Sequence, residues 1–227
     1  MNSGLKPKAM TGLHDKVVEL VARSGRTGDL ILDIAAGTGA LTKRLLDLGY
    51  NVAANDLYSK DWGVPEVDLL HVDLNGRFSE EFSARKIQPR HIVAVEVIEH
   101  LENPINFLRE CRKLMSPDGF LIVTTPNINT IRGRLGFLKH GRLAYFNERE
   151  YSDSGHISIL PWWLLCCHAK KAGFKDCEVC FGGRFELPNG LRERMVRIFS
   201  RLIAIGDERR KEELLGGATV LVMRPGA

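Results

Sequence analysis

The chain has 227 residues, of which 44% are hydrophobic and 26% charged, a balance that excludes a disordered or fibrous protein. Lys and Arg outnumber Asp and Glu by 32 to 28, a mild excess that does not require a polyanionic partner. The longest apolar run, residues 160–167, is far shorter than the roughly 20 residues of a membrane span. The chain opens without an apolar signal region, so we expect an intracellular, soluble, cytoplasmic protein.

The cysteines do not indicate a disulfide framework, because there are five of them in a chain with no secretory features. Cys177 and Cys180 have C-x-x-C spacing, but they fall in a predicted strand, where positions three apart point to opposite faces. No second C-x-x-C is present to complete a zinc site. We interpret the cysteines as core thiols.

Strands and helices alternate along the first half of the chain, which predicts an α/β domain with a parallel sheet. Asn103 and Pro104 form a helix start, with an N-cap followed by proline at the first helical position. The predicted N-terminal helical region is 8–24, with its core at 13–22. The other elements, in chain order, are strand 30–34, helix 40–48, strands 51–55, 67–72 and 92–95, helix 104–115 and strand 120–124.

The alternation loosens after the fifth strand. A basic helix at 131–139 and a loop make up a predicted cap insertion, about 128–160. A helix then begins at Pro161 and ends before Gly173, and an amphipathic helix at about 191–203 separates the final strands, 174–181 and 218–223. We predict a single domain over 1–227, with a Rossmann-like, seven-stranded, mostly parallel sheet, helices on both faces and a helical cap after strand five.

The segment Asp33–Gly39, DIAAGTG, places a carboxylate and a turn of small residues between a strand and a helix. A phosphate loop is excluded because no Gly-Lys-Ser/Thr follows. The dinucleotide fingerprint fits poorly because Leu41 and Thr42 stand where its last glycine would fall. Asp33 would repel a pyrophosphate and would suit a ligand with a positively charged amine.

Two further carboxylates end neighbouring strands. Asp56 follows the second strand, a position that binds ribose hydroxyls in doubly wound sheets. Asp73 ends the third strand beside Leu74, and a carboxylate next to an apolar residue suits the amine and ring of adenine. Ammonium, ribose and adenine without phosphate is the composition of S-adenosylmethionine (SAM).

Together with the segment Glu96–Leu101, EVIEHL, these motifs resemble class I SAM-dependent methyltransferases. Within that class the chain is similar to the branch of the ubiquinone-biosynthesis O-methyltransferases and of methyltransferase types 11 and 12. The resemblance is strong over about 28–126 and weak over 150–182. Ala35 departs from the pattern, because the family usually has glycine there.

The resemblance implies a role for each matching residue. Asp33 would orient the turn and the methionine amine, Asp56 would bind both ribose hydroxyls, and Asp73 with Leu74 would hold adenine. The residues that would pack on the methionine and ribose are Ala35, Ala36, Gly37 and Gly39. Glu96 and Val97 would lie beside the sulfonium, and Leu57 or Trp62 would either contact adenine or pack within its loop.

Four residues are candidates for the reacting end: Glu96, Glu99 and His100 after strand four, and His156 in the cap. They are a plausible ligand set for a divalent metal and resemble the metal site of RNA 3′-terminal 2′-O-methyltransferases. The rest of that RNA signature is missing, and we favour His100 and His156 as metal-free general bases. We expect the other histidines to be structural and away from the site: His14, His71, His91, His140 and His168.

The acceptor is not named by the sequence. The cap is basic and apolar, as is the amphipathic helix at about 191–203. We interpret both as helical segments that pack on the domain and leave a basic edge in solvent. A membrane-surface contact and a phosphate-bearing substrate remain alternatives. We expect O-methylation of a small-molecule, sugar or lipid-linked hydroxyl, without nucleic acid, and the competing hypotheses are an RNA 2′-O-methyltransferase and a non-catalytic SAM-binding subunit.

Overall fold

Seven strands form one sheet in the order β3-β2-β1-β4-β5-β7-β6. The computed structural model describes residues 4–184 and 205–226, together with Ile198 and Ile203. Pairing is parallel from β3 through β5, whereas β7 runs antiparallel to both of its neighbours, which confirms the predicted mostly parallel sheet. The strands are β1 Leu30–Ile34, β2 Asn51–Asn55, β3 Leu69–Leu70, β4 His91–Ala94, β5 Leu121–Pro126, β6 Phe174–Arg184 and β7 Gly216–Pro225.

The described residues include three helices that the sequence pattern missed, at 78–84, 148–153 and 208–215. The helices in chain order are α1 Leu13–Ser24, α2 Ala40–Asp47, α3 Phe78–Ala84, a 3₁₀ turn Ile98–His100, α4 Pro104–Leu114, α5 Ile131–His140, α6 Glu148–Asp153, α7 Trp162–Lys171 and α8 Glu208–Leu215. The Asn103 side chain accepts from the Asn106 N–H, so the predicted N-cap forms.

Two predicted elements have other bounds in the structure, and a third is not described by it. The N-terminal helix begins at Leu13 rather than at residue 8, after Gly12 in the left-handed conformation. The third strand, expected over 67–72, keeps ladder pairing only at Leu69–Leu70. The helix expected at about 191–203 lies outside the described residues, apart from Ile198 and Ile203.

Side chains that alternate along β1 divide the interior into two apolar layers, as the pleat of a strand requires. Ile31 packs with the buried residues of α1 and α2 on one face. Leu32 and Ile34 pack with those of α3, α4 and α7 on the other. Helices therefore cover both faces of the sheet, as predicted.

The segment after β5 leaves the sheet and returns to it at the site. Helix α5 packs on α8 through Ile131 and Leu214, and Arg134 pairs with Glu213 at 3.1 Å. The chain comes back where the N–H groups of residues 157 and 158 donate to the carbonyl of Glu99, each at 2.9 Å. No helix among the described residues is both long and apolar enough to cross a membrane.

Candidate active site

A cavity of about 820 Å³ opens at the carboxyl ends of β1, β2 and β4, within the size range of small-molecule sites. Its walls come from the turn after β1, from the ends of the neighbouring strands, from residues 8–11 and from the cap. The predicted site residues that line it are Asp33, Ala35, Ala36, Gly37, Asp56, Leu57, Asp73, Leu74, Glu96, Glu99, His100 and His156. Gly39 and Trp62 do not line it.

The turn after β1 uses left-handed backbone at Ala35 (φ 60°), Gly37 (φ 59°) and Gly39 (φ 84°). A Cβ at Gly39 would lie 2.4 Å from Val64 Cγ2 and 2.9 Å from Trp62 Cζ3. Packing behind the turn therefore requires glycine at position 39, and Trp62 belongs to that packing rather than to the cavity wall.

Backbone strain is concentrated around the cavity. Four described residues other than glycine have positive φ, and three of them, Ala35, Glu96 (φ 50°) and Tyr145 (φ 66°), line the cavity. Such conformations cost on the order of 1–3 kcal/mol each and are typical of functional sites. The strained residues therefore indicate a candidate ligand-binding site at this edge of the sheet.

Asp33 lies at the inner wall of the cavity with only 1% of its surface exposed. Its Oδ2 accepts a hydrogen bond of 2.6 Å from the Thr42 hydroxyl in the first turn of α2. Burial raises the pKa of Asp33 to about 7, which the Thr42 hydrogen bond opposes. A positively charged ligand group beside Asp33 would restore its ionised form.

The Asp56 carboxylate connects the glycine turn after β1 to the loop after β2 through two backbone hydrogen bonds. Its Oδ2 accepts from the Gly37 N–H at 2.9 Å and its Oδ1 from the Tyr58 N–H at 3.0 Å. Each carboxylate oxygen has more than one lone pair, so both can still accept from a pair of ligand hydroxyls.

The buried Asn55 joins β2 to the chain beyond β3. Its side chain donates to the Val72 carbonyl at 3.2 Å and accepts from the Val72 N–H at 2.8 Å. The next residue, Asp73, is exposed to the cavity and accepts from the Asn75 N–H at 3.0 Å, with the buried Leu74 beside it. Asp56 and Asp73 therefore line one continuous wall.

The N-terminal segment forms a further wall, which sequence reasoning missed. The Met10 N–H donates to Glu96 Oε2 at 3.1 Å, and the Thr38 hydroxyl donates to the Lys6 carbonyl at 3.0 Å. His14 also lines the cavity, so the expectation that it lies away from the site is wrong. Burial and the charge of Arg44 lower the pKa of His14 to about 4, which keeps its ring neutral.

Two histidines meet at the reacting end. The rings of His100 and His156 lie edge to face with centroids 4.9 Å apart. Nδ1 of His100 is 3.2 Å from the Gly155 carbonyl, and Nδ1 of His156 is 2.7 Å from the Tyr145 carbonyl. A carbonyl can only accept, so in the neutral ring Nδ1 carries the proton and Nε2 keeps its lone pair. Burial and the neighbouring His156 lower the pKa of His100.

Glu99 completes a group with the two histidines. One potential ligand atom from each of Glu99, His100 and His156 lies within 4.8 Å of the others. Both Glu99 oxygens are buried and have no hydrogen-bond partner among the described residues. Burial, with the charge of Glu96, raises the pKa of Glu99 to about 8. A buried carboxyl group without a hydrogen-bond partner, close to two imidazoles, fits a divalent cation by the chemistry of its donors.

Glu96 stands apart from this group, although it was expected to belong to a set of four ligands. Its left-handed backbone and the hydrogen bond from Met10 turn its carboxylate toward the N-terminal segment. Its own N–H donates to the Thr124 hydroxyl at 3.0 Å, and burial raises the pKa of its carboxyl.

The profile of the methyltransferase-domain family matches residues 8–179. This chain belongs to that family. Curated relatives of the methyltransferase are ubiquinone biosynthesis O-methyltransferases: one from Caulobacter sp. is 34% identical over 112 residues, which is 46% of this chain and 44% of the relative. One from Paraburkholderia xenovorans is 31% identical over 113 residues, 48% of this chain and 49% of the relative. The matches span about half the length of these curated relatives.

Solved structures similar to this methyltransferase share its fold. A SAM-dependent methyltransferase from Archaeoglobus fulgidus superposes with a TM-score of 0.63 at 16% identity, covering 92% of this chain and 93% of that one. Phosphoethanolamine N-methyltransferase 2 of Haemonchus contortus, in complex with SAM, superposes with a TM-score of 0.57 at 16% identity, covering 96% and 54%. Membership of the family confirms the predicted fold, the enzyme class of SAM-dependent methyltransferases and SAM as the cofactor of that class.

Proposed function

We propose that this protein transfers the methyl group of SAM to a hydroxyl of a small-molecule acceptor. The observation that carries the proposal is the pair His100 and His156, whose Nδ1 atoms face carbonyls and whose Nε2 atoms remain to accept a proton. This pair lines the same cavity as the three strand-end carboxylates. The curated relatives, which are named O-methyltransferases, support a hydroxyl as the acceptor group.

The cofactor fits the wall formed by the strand ends. Asp33 would bind the methionine amine, whose positive charge would offset the burial of the carboxylate. Asp56 has lone pairs for the two ribose hydroxyls, and Asp73 with Leu74 offers an acceptor and an apolar surface to adenine. The sulfonium end would then lie beside Glu96 and Val97, next to the histidine pair.

The histidines would act as general bases. As the acceptor oxygen attacks the methyl carbon, its proton passes to Nε2 of His156 or His100, the new C–O bond forms and the C–S bond breaks. S-adenosylhomocysteine leaves as a neutral thioether. Alignment of the two reactants supplies several kcal/mol of the barrier reduction, and a positioned base adds roughly 10²–10⁴-fold.

A second candidate is the same transfer with a divalent ion, favoured by the orphaned carboxylate of Glu99. Glu99, His100 and His156 would hold the ion. When bound, it would lower the pKa of the acceptor hydroxyl. The proposal keeps the metal-free version first, because the histidine pair alone already provides a base.

The cap, residues 128–160, would close the acceptor end as part of a single domain. Tyr145 and His156 from the cap line the cavity, which supports this placement. The cap also exposes Leu138 (84%) and Phe137 (51%) beside Lys139, a combination that suits an acceptor carried on a lipid. Small aromatic, sugar and lipid-linked hydroxyls are therefore the acceptor classes to test.

The test is methyl transfer from methyl-deuterated SAM to a panel of these hydroxyls and to RNA, read by mass spectrometry. His156→Ala should lower kcat strongly while SAM affinity stays unchanged. The matched control is His140→Ala, at the exposed end of α5 and outside the cavity lining, which should behave as wild type. SAM binding without transfer to any acceptor would support a silent binding subunit, and labelled RNA would overturn the small-molecule assignment.

A further inference from the structure

Two cysteines that methyl transfer does not use lie against each other. Cys166 is on α7 and Cys177 is on β6, and their Sγ atoms are 3.1 Å apart, while both thiols are reduced. Both residues are only partly buried, so a small oxidant can reach them. Both side chains pack against the apolar core, in keeping with the interpretation of the cysteines as core thiols.

Positive charge surrounds one member of the pair. Lys170 lies one turn beyond Cys166 on α7, and Arg209 comes from α8, where its guanidinium stacks over the Trp162 ring at 5.1 Å. The sulfur–sulfur contact with Cys177, together with these two charges, holds the pKa of Cys166 below that of an ordinary thiol. The same contact and burial raise the pKa of Cys177. Cys166 is thus the member of the pair that ionises more readily.

The remaining cysteines lack this environment. Cys111 is fully buried, and burial raises the pKa of Cys180 to about 11. Cys167 is exposed next to Cys166 but has no hydrogen-bonded thiol partner of its own. Among the described cysteines, Cys166 and Cys177 are the pair in which a thiol of lowered pKa lies at contact distance from a second sulfur.

We propose that Cys166 and Cys177 are a redox modification site, which a hydroperoxide converts into a disulfide joining α7 to β6. The Cys166 thiolate attacks the peroxide oxygen, the O–O bond breaks and Cys166 becomes a sulfenic acid. The Cys177 sulfur then displaces that oxygen as water and forms the S–S bond. With hydrogen peroxide, two thiols lose two electrons and two protons and the peroxide is reduced to two waters, and a dithiol reductant reverses the change.

The cross-link would tie together residues eleven apart in sequence. Restricting the unfolded chain in this way stabilises the folded state. We therefore expect oxidation to raise the midpoint of thermal unfolding, and reduction to return it to its starting value.

The experiment exploits the two tryptic peptides that carry the pair, Glu150–Lys170 and Asp176–Arg184. Each peptide holds a second cysteine, so the variant Cys167→Ser with Cys180→Ser leaves one cysteine in each. After hydrogen peroxide treatment of the full-length variant, mass spectrometry should find the two peptides linked, and dithiothreitol should separate them. The reciprocal variant, Cys166→Ser with Cys177→Ser, should give no linked peptides and no shift in the unfolding midpoint.

The charge around the pair gives a second measurement. Lys170→Gln should slow alkylation of Cys166 at neutral pH severalfold relative to wild type, because less thiolate is present, whereas alkylation of the neighbouring Cys167 should change little. The proposal is overturned if Cys166 and Cys177 stay fully alkylatable after peroxide treatment of the variant Cys167→Ser with Cys180→Ser. It is equally overturned if peroxide carries Cys166 to sulfinic acid without a cross-link.

Discussion

The Thr42 hydroxyl, in the first turn of α2, donates a hydrogen bond of 2.6 Å to Oδ2 of Asp33, the carboxylate at the end region of β1. The bond links the first turn of α2 to the end of β1, on either side of the glycine turn, and fixes the carboxylate at the cavity wall. Burial of the carboxylate costs stability and raises the pKa of Asp33 to about 7, and the hydrogen bond from Thr42 offsets part of that cost.

The free energy of unfolding should therefore decrease as pH rises, because of the ionisation of Asp33. The unfolded chain releases the Asp33 proton near pH 4, whereas the folded chain keeps it until about pH 7. The folded state binds more protons in this window, so the free energy of unfolding decreases as pH rises from about 4 to 7. Asp33→Asn removes the ionisation and keeps an acceptor for Thr42.

As pH rises from 5 to 8, the unfolding midpoint of Asp33→Asn should increase relative to that of wild type. The corresponding difference in the free energy of unfolding is a few kcal/mol. Denaturant titrations without cofactor at several pH values measure this, with Asp61→Asn, an exposed carboxylate outside the cavity lining, as control. Parallel pH profiles for wild type and Asp33→Asn would contradict the burial penalty. The variant should at the same time bind SAM more weakly.

Ala35→Gly should stabilise the protein. Ala35 has φ of 60°, where an alanine Cβ is strained and glycine is not. Strain of roughly 1–3 kcal/mol is relieved, against an entropy cost of about 0.5–1 kcal/mol for glycine, so a gain of about 1 kcal/mol in unfolding free energy is expected. Ala36→Gly, next in the chain and without positive φ, should lose about 0.5–1 kcal/mol. Equal losses in both variants would rule out strain at Ala35.

Asp56→Ala should weaken SAM without unfolding the turn. Asp56 lines the cavity and is proposed to bind ribose, and loss of a charged hydrogen-bonding partner costs about 1–3 kcal/mol of binding free energy. Titration calorimetry with SAM and with S-adenosylhomocysteine should show the same loss for both, because they share the ribose. Asp61→Ala serves as the control, and unchanged SAM affinity in Asp56→Ala would remove the ribose assignment.

Chelation separates the two candidate mechanisms. With His156 or His100 as a plain base, methyl transfer should survive EDTA. Glu102→Gln, an exposed carboxylate beside the site, provides the reference for Glu99→Gln in the same assay. Loss of activity with EDTA, its return with Mg²⁺ or Mn²⁺ and the same loss in Glu99→Gln but not in Glu102→Gln would establish the metal version instead.

The sequence predicts most of the carboxylate wall of the cavity because the carboxyl ends of parallel strands meet at one edge. Asp33 lies near the end of β1, and Asp56 and Asp73 come after β2 and β3, so the strand pattern brings the three together. The opposite wall has no such signal. Residues 8–11 and His14 reach the cavity through tertiary contacts, such as the hydrogen bond from Met10 to Glu96 and the packing of Met10 against Gly183.

Glu96 shows why local spacing is insufficient at the reacting end. It and Glu99 are three residues apart, as a shared ligand set would require, yet a positive φ and the Met10 hydrogen bond direct the Glu96 carboxylate elsewhere. Gly39 is the converse case: the motif suggests contact with a ligand, whereas Val64 and Trp62 behind the turn account for the glycine.

Because β3 has only two residues in the ladder, the sheet by itself holds the chain at Asp73 weakly. The Asn55 amide supplies two more hydrogen bonds at Val72, and its carbonyl accepts from the Ala36 N–H. The Asn55 side chain therefore helps to fix the separation of Asp56 and Asp73, together with the hydrogen bond from the Asp56 N–H to the Leu70 carbonyl at 3.0 Å and the contact of His71 Nδ1 with the Asp56 carbonyl at 2.7 Å. If Asp56 and Asp73 bind adenosine as proposed, a substitution at Asn55 should weaken SAM and S-adenosylhomocysteine to the same extent, although both carboxylates are still present.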